Sequence, residues 1–336
     1  MPPRAESPAS SLTGSLPSPP TPWHGVGTRV STVDGRVFVR SQGELEGGRA
    51  LVLLHGFPTS SWDYAAVMDR LAVSLPVLAL DFLGFGLSDK PPTFRYGVAD
   101  QTDVLLAVAH RLSLREIHVV AHDSAASVAA ELLARRERGL LRVDVSSVVF
   151  VAGTPLPSVR TGGLADWVAL GNERRTTFSK PSGFGGFRRE MRRLIAYPET
   201  FSDAELRVGW DLLTRDHGLL RWSRLEAARD ERDTGGDRWT SALSRADVPM
   251  LCLFGDRDPL AKASAGERIV SVAPRARLRV LRDVGHFPHL ETPDALAAEV
   301  RSFLASISAL GRLPALSWQR DAPRRASPSL SHERAA

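Results

Sequence analysis

The stretch Ile117-His118-Val119-Val120-Ala121-His122-Asp123-Ser124-Ala125-Ala126 decides how this chain is read. Its first half is a short Ile/Val run of the kind that forms a strand buried on both faces. Its second half opens a helical pattern over Ser124–Arg138. A strand that passes directly into a helix must turn within a residue or two. Small neighbours let the two backbones approach, and the residue at the apex is lifted clear of the sheet. Ala121, Ala125 and Ala126 supply the small positions, which puts Asp123 at the apex. Moving the frame to Ser124 would place bulky His122 where a small residue is needed. A His-Asp pair in isolation is usually a surface turn, so the reading depends on what surrounds it.

Working outward, short apolar runs alternate with helical patterns. Gly27–Arg40 carries Asp34-Gly35 between β-branched residues, the signal for a tight hairpin. Ala50–Leu54, Val77–Leu80, Val145–Val151, Pro249–Phe254 and Leu278–Leu281 read as further strands, and Trp62–Ala72 and Asp100–Leu112 as helices. An antiparallel hairpin followed by strand–helix units predicts an α/β fold with a mostly parallel, doubly wound sheet. From 155 to 245 no buried strand is visible. Helical patterns, the glycines at 183, 185 and 186, and Trp167, Tyr197, Trp210, Trp222 and Trp239 occupy this stretch. It is expected to be a helical cap inserted after the sixth strand, over the sheet edge where open α/β sheets bind ligands. The expected division is a disordered tail over 1–22, core over 23–154 and 246–310, cap over 155–245, and a disordered basic tail over 311–336.

Composition narrows the partners. The formal charge is +5, but residues 311–336 hold five Arg against one Asp and one Glu, so +3 of it belongs to the tail. The remainder carries about +2 by difference, which gives no nucleic-acid-binding face. No apolar run approaches the ~20 residues of a membrane span, and the Ser/Pro-rich start contains no apolar signal core; the cytosol is the expected location. The single cysteine, Cys252, excludes an intrachain disulfide framework and a cysteine-rich metal site, and sits in a strand as a core hydrophobe. The run Arg188-Arg189-Glu190-Met191-Arg192-Arg193 is read as a solvated helix face.

Other polar residues gather at the ends of the strands. His55-Gly56-Phe57-Pro58 follows one strand, Phe254-Gly255-Asp256-Arg257-Asp258-Pro259 closes another, and Gly285-His286-Phe287 follows the last. The order Asp123, then a carboxylate at 256 or 258, then His286 is that of a nucleophile, an orienting acid and a base. Together HGFPTSSW (His55–Trp62), DFLGFGLSDKP (Asp81–Pro91), AHDSAA, LFGDRDPL (Leu253–Leu260) and VGHFPHLE (Val284–Glu291) resemble the α/β-hydrolase superfamily, in the branch of epoxide hydrolases and haloalkane dehalogenases. The cap, with Glu205, Trp210, Asp216-His217-Gly218 and Arg238-Trp239, is similar to that of mesoderm-specific-transcript-like hydrolases. The resemblance spans roughly residues 27–308.

The resemblance implies an α/β-hydrolase fold and a cofactor-independent, metal-independent hydrolase acting on a small molecule. Asp123 would attack an sp³ carbon and form an alkyl ester. His286 would activate the water that hydrolyses this ester, held by Asp258, the second acid of its loop, with Asp256 serving the loop itself. The backbone N–H groups of Phe57 and Ser124 would form the oxyanion hole. His55 and Asp81 would shape loops. Tyr197, Trp167 and Trp210 are the cap aromatics expected at the substrate pocket, packing between cap helices being their alternative role. Ser124 follows Asp123 where haloalkane dehalogenases have a halide-binding Trp, and Tyr197 is the sole cap tyrosine where epoxide hydrolases use two. Epoxide hydrolysis is the favoured reading, with dehalogenation, a Ser124 esterase and a non-catalytic binding protein as alternatives.

Overall fold

A computed structural model describes residues 23–45, 47–73, 75–157, 180–229 and 231–309. Eight strands form one sheet: β1 (Thr28–Ser31), β2 (Arg36–Gln42), β3 (Arg49–Leu54), β4 (Val77–Leu80), β5 (Glu116–His122), β6 (Asp144–Val151), β7 (Met250–Gly255) and β8 (Ala276–Leu281). Their order is β1-β2-β4-β3-β5-β6-β7-β8. β1 and β2 pair antiparallel, as do β2 and β4, and the rest run parallel. The Asp34-Gly35 signal lies in the β1–β2 turn, closed by the Thr32 N–H donating to the Gly35 carbonyl at 3.0 Å.

Strand periodicity sets the two layers. Along β3, Ala50, Val52 and Leu54 face one apolar cluster while Leu51 and Leu53 face the other. This alternation requires a strand covered on both sides. The first layer contains α2 (Val98–Arg111), α3 (Ala125–Glu137) and α8 (Ala263–Val272); the second contains α1 (Met68–Leu71) and α10 (Pro293–Ala309). Cys252 is fully buried in β7, and burial pushes its thiol up to about 12, as befits a core residue.

The expected helix over Trp62–Ala72 is instead a 3₁₀ turn (Ser61–Tyr64) followed by the one-turn α1. Its hydrogen bonds are i→i−3, from Ala65 to Trp62 and from Val67 to Tyr64. The tighter winding draws Asp63 and Tyr64 inward, and the Tyr64 O–H donates to the Leu54 carbonyl at 2.8 Å.

Between β6 and β7 lie α4 (Phe184–Leu194), α5 (Asp203–Thr214), a 3₁₀ segment (Arg215–Arg221), α6 (Trp222–Arg229) and α7 (Glu231–Arg245). A capping box starts α5: Ser202 Oγ accepts from the Glu205 N–H, and the Glu205 carboxylate accepts from the Ser202 N–H. Arg188 and Arg192, on the charged face of α4, pair with Asp203 at the surface. α7 returns to lie along α3, where the buried Glu131 accepts from Trp239 Nε1 and Arg135 Nε, each at 2.9 Å, and pairs with Arg238. Trp167 lies outside the described residues, as do both tails.

Candidate active site

β5 ends in a sharp turn. Asp123 has φ +47°, in the left-handed region, and its N–H donates to the Val151 carbonyl at 3.0 Å. The strain is tolerated because the surroundings leave no alternative path. A Cβ on Gly153 would stand 2.4 Å from the Asp123 carbonyl oxygen, and one on Gly56 would stand 2.7 Å from the Asp123 Cβ. Ser124 caps α3 with ordinary helical dihedrals. Asp123 is thus the apex of the turn, and Ser124 begins the helix.

Three segments converge on the Asp123 carboxylate. Oδ2 accepts the Phe57 N–H at 3.1 Å, and Oδ1 lies 3.9 Å from His286 Nε2. His286 Nδ1 donates to Asp258 Oδ2 at 2.9 Å, while Asp258 Oδ1 accepts the N–H groups of Leu260 and Ala261 at 2.7 and 2.9 Å. Of the two acids in that loop, Asp258 therefore faces the imidazole. Asp256 accepts the Val284 N–H at 3.4 Å. His286 and Asp258 are buried, whereas the Asp123 side chain keeps 17% of its surface open.

His55 and Asp81 brace the loops around this group. His55 Nε2 accepts from the Phe82 N–H and Nδ1 donates to the Gly56 carbonyl; Asp81 accepts the N–H groups of Ser61 and Leu87, both at 2.7 Å.

A small cleft of about 50 Å³ opens at Ser124 and Phe57, with Phe85, Tyr96 and Leu225 in its wall. Tyr197 and Trp210 do not line it. Tyr197 lies beneath the Arg257 guanidinium, 5.1 Å from the ring centre, and Trp210 packs on Phe187 between α4 and α5. Tyr96 lines the cleft instead, and Trp222 stands behind its Phe57 wall. Trp222, the first residue of α6, meets Phe57 edge-on at 4.8 Å. Tyr96 comes from the segment before α2, has φ +66°, and donates its O–H to the Pro91 carbonyl at 2.7 Å. Burial pushes its phenol above the ordinary value. A positive-φ tyrosine leaves no mark on composition or periodicity, so the sequence offered no signal for it.

Sequence reasoning also passed over Glu291. Its carboxylate accepts the N–H groups of Ala196, Gly285 and Phe287 at 2.8 to 3.0 Å, and the His286 N–H donates to the Leu194 carbonyl at 2.8 Å. The His286 turn is thereby tied to the end of α4. Burial pushes Glu291 up, against the pull of these donors. The signal available was a carboxylate five residues beyond His286, at the end of the one-turn α9 (Pro288–Glu291).

Known proteins agree with this architecture. The chain is 32% identical over 286 residues to the putative hydrolase LipZ of Mycobacterium tuberculosis (strain ATCC 25618 / H37Rv), covering 84% of this chain and 96% of that protein. It is 30% identical over 279 residues to the mesoderm-specific transcript homolog protein of Bos taurus, covering 81% and 83%. Among solved structures it is similar to the ligand-free epoxide hydrolase CorEH, with a TM-score of 0.68 at 19% identity over 84% of this chain and 99% of that one. Residues 51–299 match the family described as the alpha/beta hydrolase family, and with the strand order and the turn at Asp123 this places the chain in that family of hydrolases.

Proposed function

We propose that this hydrolase uses the Asp123 carboxylate as its nucleophile and acts on a small apolar epoxide through an alkyl-enzyme ester. The observation that carries the reading is the placement of that carboxylate. It stands at the apex of the turn, with one oxygen on the Phe57 N–H and the other facing His286 Nε2. The Asp123 oxygen attacks a ring carbon, the C–O bond of the ring breaks, and the alkoxide takes a proton. Tyr96 is the phenol in the cleft wall suited to supply it, by turning its O–H from the Pro91 carbonyl to the substrate oxygen. Water then attacks the ester carbonyl. His286 Nε2 accepts its proton while Asp258 stabilises the imidazolium. The tetrahedral intermediate then collapses, and the bond from the Asp123 carboxyl carbon to the alkyl oxygen breaks. The diol leaves with the proton from His286, and the water proton remaining on Asp123 restores the Tyr96 phenol through solvent. The tetrahedral oxyanion forms where the Phe57 N–H already points; one such donor is typically worth ~10²–10³ in rate. The Ser124 N–H is the second donor of this reading. The apolar wall favours an apolar substrate.

Single turnover in ¹⁸O-water tests the reading, because the label must enter Asp123 before it reaches product. Mass spectrometry of His286→Ala with a panel of epoxides, haloalkanes and esters should show the trapped adduct. Product labelled in the first turnover with Asp123 unlabelled would refute the reading. Tyr96→Phe should slow alkylation by ~10²-fold or more. Ser124 also lines the cleft, which supports an ester-cleaving alternative. That alternative requires ester turnover to survive Asp123→Asn and vanish in Ser124→Ala.

A further inference from the structure

Apart from the residues that line the cleft, three side chains from distant segments meet. Asp63 comes from the 3₁₀ turn Ser61–Tyr64, His122 is the last residue of β5, and His289 lies in α9. They are 4%, 0% and 0% exposed. One donor atom from each lies within 4.8 Å of the other two, and His289 Nε2 is 3.7 Å from Asp63 Oδ2. Among the described residues, Asp63 Oδ2, His122 Nδ1 and both ring nitrogens of His289 have no hydrogen-bond partner. Buried polar atoms are normally satisfied, and unsatisfied atoms on all three members of one buried cluster point to an occupant.

The donor set indicates its chemistry. The Nε2–H of His122 donates to the His286 carbonyl at 2.8 Å, which leaves the lone pair on its unpartnered Nδ1. A ligating histidine normally has its far N–H on a carbonyl or carboxylate in this way. Asp63 is in turn hydrogen-bonded by the Thr59 side chain. Two imidazoles and a carboxylate suit an ion of the zinc type. Zn–N bonds of ~2.0–2.1 Å in a tetrahedron put ligand atoms roughly 3.3 Å apart, so the cluster needs only to draw inward.

We propose that Asp63, His122 and His289 form a buried site for one divalent transition ion of the zinc class, separate from the cleft. Such an ion would join the segment after Phe57, the end of β5 and the helix after His286, and so lock together the backbone that carries Asp123 and His286. The three ligands come from segments with no metal-binding spacing, so no sequence motif announces the site.

The test uses the untagged full-length protein, stripped with chelator, loaded with Zn²⁺ or Co²⁺ and desalted. One Zn²⁺ per chain by elemental analysis is expected, together with the visible bands of four-coordinate Co²⁺, erased by added Zn²⁺. Asp63→Asn and His289→Gln, checked for native circular dichroism, should weaken retention by more than about tenfold. Wild-type protein that keeps no stoichiometric ion, or gives only the weak spectrum of hydrated Co²⁺, overturns the proposal and leaves an ordered water as the occupant. Folded variants that keep the ion overturn it as well, by moving the ion elsewhere. The wild-type measurement decides even if both variants fail to fold.

Discussion

Replacing Asp258 by asparagine separates the two chemical steps of the proposed reaction. In the native site Oδ1 accepts the N–H groups of Leu260 and Ala261, and Oδ2 accepts the His286 Nδ1–H. An asparagine can keep the first pair of bonds with its carbonyl oxygen. Its NH₂ then faces His286 Nδ1, which must become an acceptor. The proton moves to Nε2, the nitrogen that has to accept a proton from water. The backbone bonds survive, so the cost falls on the tautomer and little on folding. A wrong tautomer in a comparable triad lowers turnover by ~10⁴, and general-base help as a whole is worth ~10²–10⁴. We therefore expect ester hydrolysis to slow by roughly 10³–10⁴-fold, or about 4–5.5 kcal/mol at 1.36 kcal/mol per decade. Alkylation of Asp123 needs no base and should keep its rate to within about threefold. Stopped-flow with an epoxide substrate should thus show a burst of one equivalent followed by near-arrest, and intact-mass analysis should find the adduct accumulated. If alkylation falls as far as hydrolysis, or if steady turnover drops less than about tenfold, the assignment of Asp258 and His286 to the second step fails.

Further expectations concern the supports of the site. Gly153→Ala puts a methyl 2.4 Å from the Asp123 carbonyl oxygen, with backbone on both sides; unfolding titration should show a loss of about 3 kcal/mol or more together with lost activity, and an unchanged midpoint would refute the close approach. Glu291→Ala leaves three N–H donors at the His286 turn without their carboxylate, which should lower stability by about 3–5 kcal/mol and the melting temperature by roughly 10 °C. A Glu291→Ala protein with native melting and native turnover would show that the bracket contributes nothing. His122 and His289 are held near 3 against an ordinary 6.5, so the folded state favours their neutral forms. That stability is complete above about pH 6.5 and is lost as pH falls from there toward 3. Asp63, pushed up to about 6 by burial, acts in the opposite sense. With two histidines against one carboxyl, the urea midpoints of metal-stripped protein should still decline through this window, and His289→Gln should flatten the decline; an equally steep decline in the variant would refute the assignment.

The strands were legible because each carries its own signal. A strand buried on both sides is mostly apolar, and the runs beginning at Ala50, Val77, Ile117, Val145 and Pro249 coincide with β3 to β7 to within a few residues. The run at Leu278 falls in β8, an edge strand that exposes Arg277, Arg279 and Val280 and is not buried on both sides. The helices between β6 and β7 were legible by contrast, as the stretch where such runs stop. The helix over Trp62–Ala72 was misread because local apolar spacing does not distinguish a 3₁₀ turn from an α-turn; the inward pull on Asp63 and Tyr64 made that choice.

Asp123 stands out in the sequence because a tight turn imposes small neighbours within a few residues, and that is a local demand. The facing of Asp258 and His286 could be anticipated from their order along the chain, since strand ends in a parallel sheet share one edge. The aromatic wall followed no such rule. Tyr96 lines the cleft and Trp222 backs its Phe57 wall, while Tyr197 and Trp210 lie elsewhere, because the position of the helices between β6 and β7 depends on contacts between residues far apart in sequence. The same holds for Glu291 beneath the His286 turn and for the meeting of Asp63, His122 and His289. Periodicity and turn chemistry, being short-range, determined the sheet and the apex residue. Which polar groups share a buried space is a long-range property of packing, and the tertiary structure alone decided it.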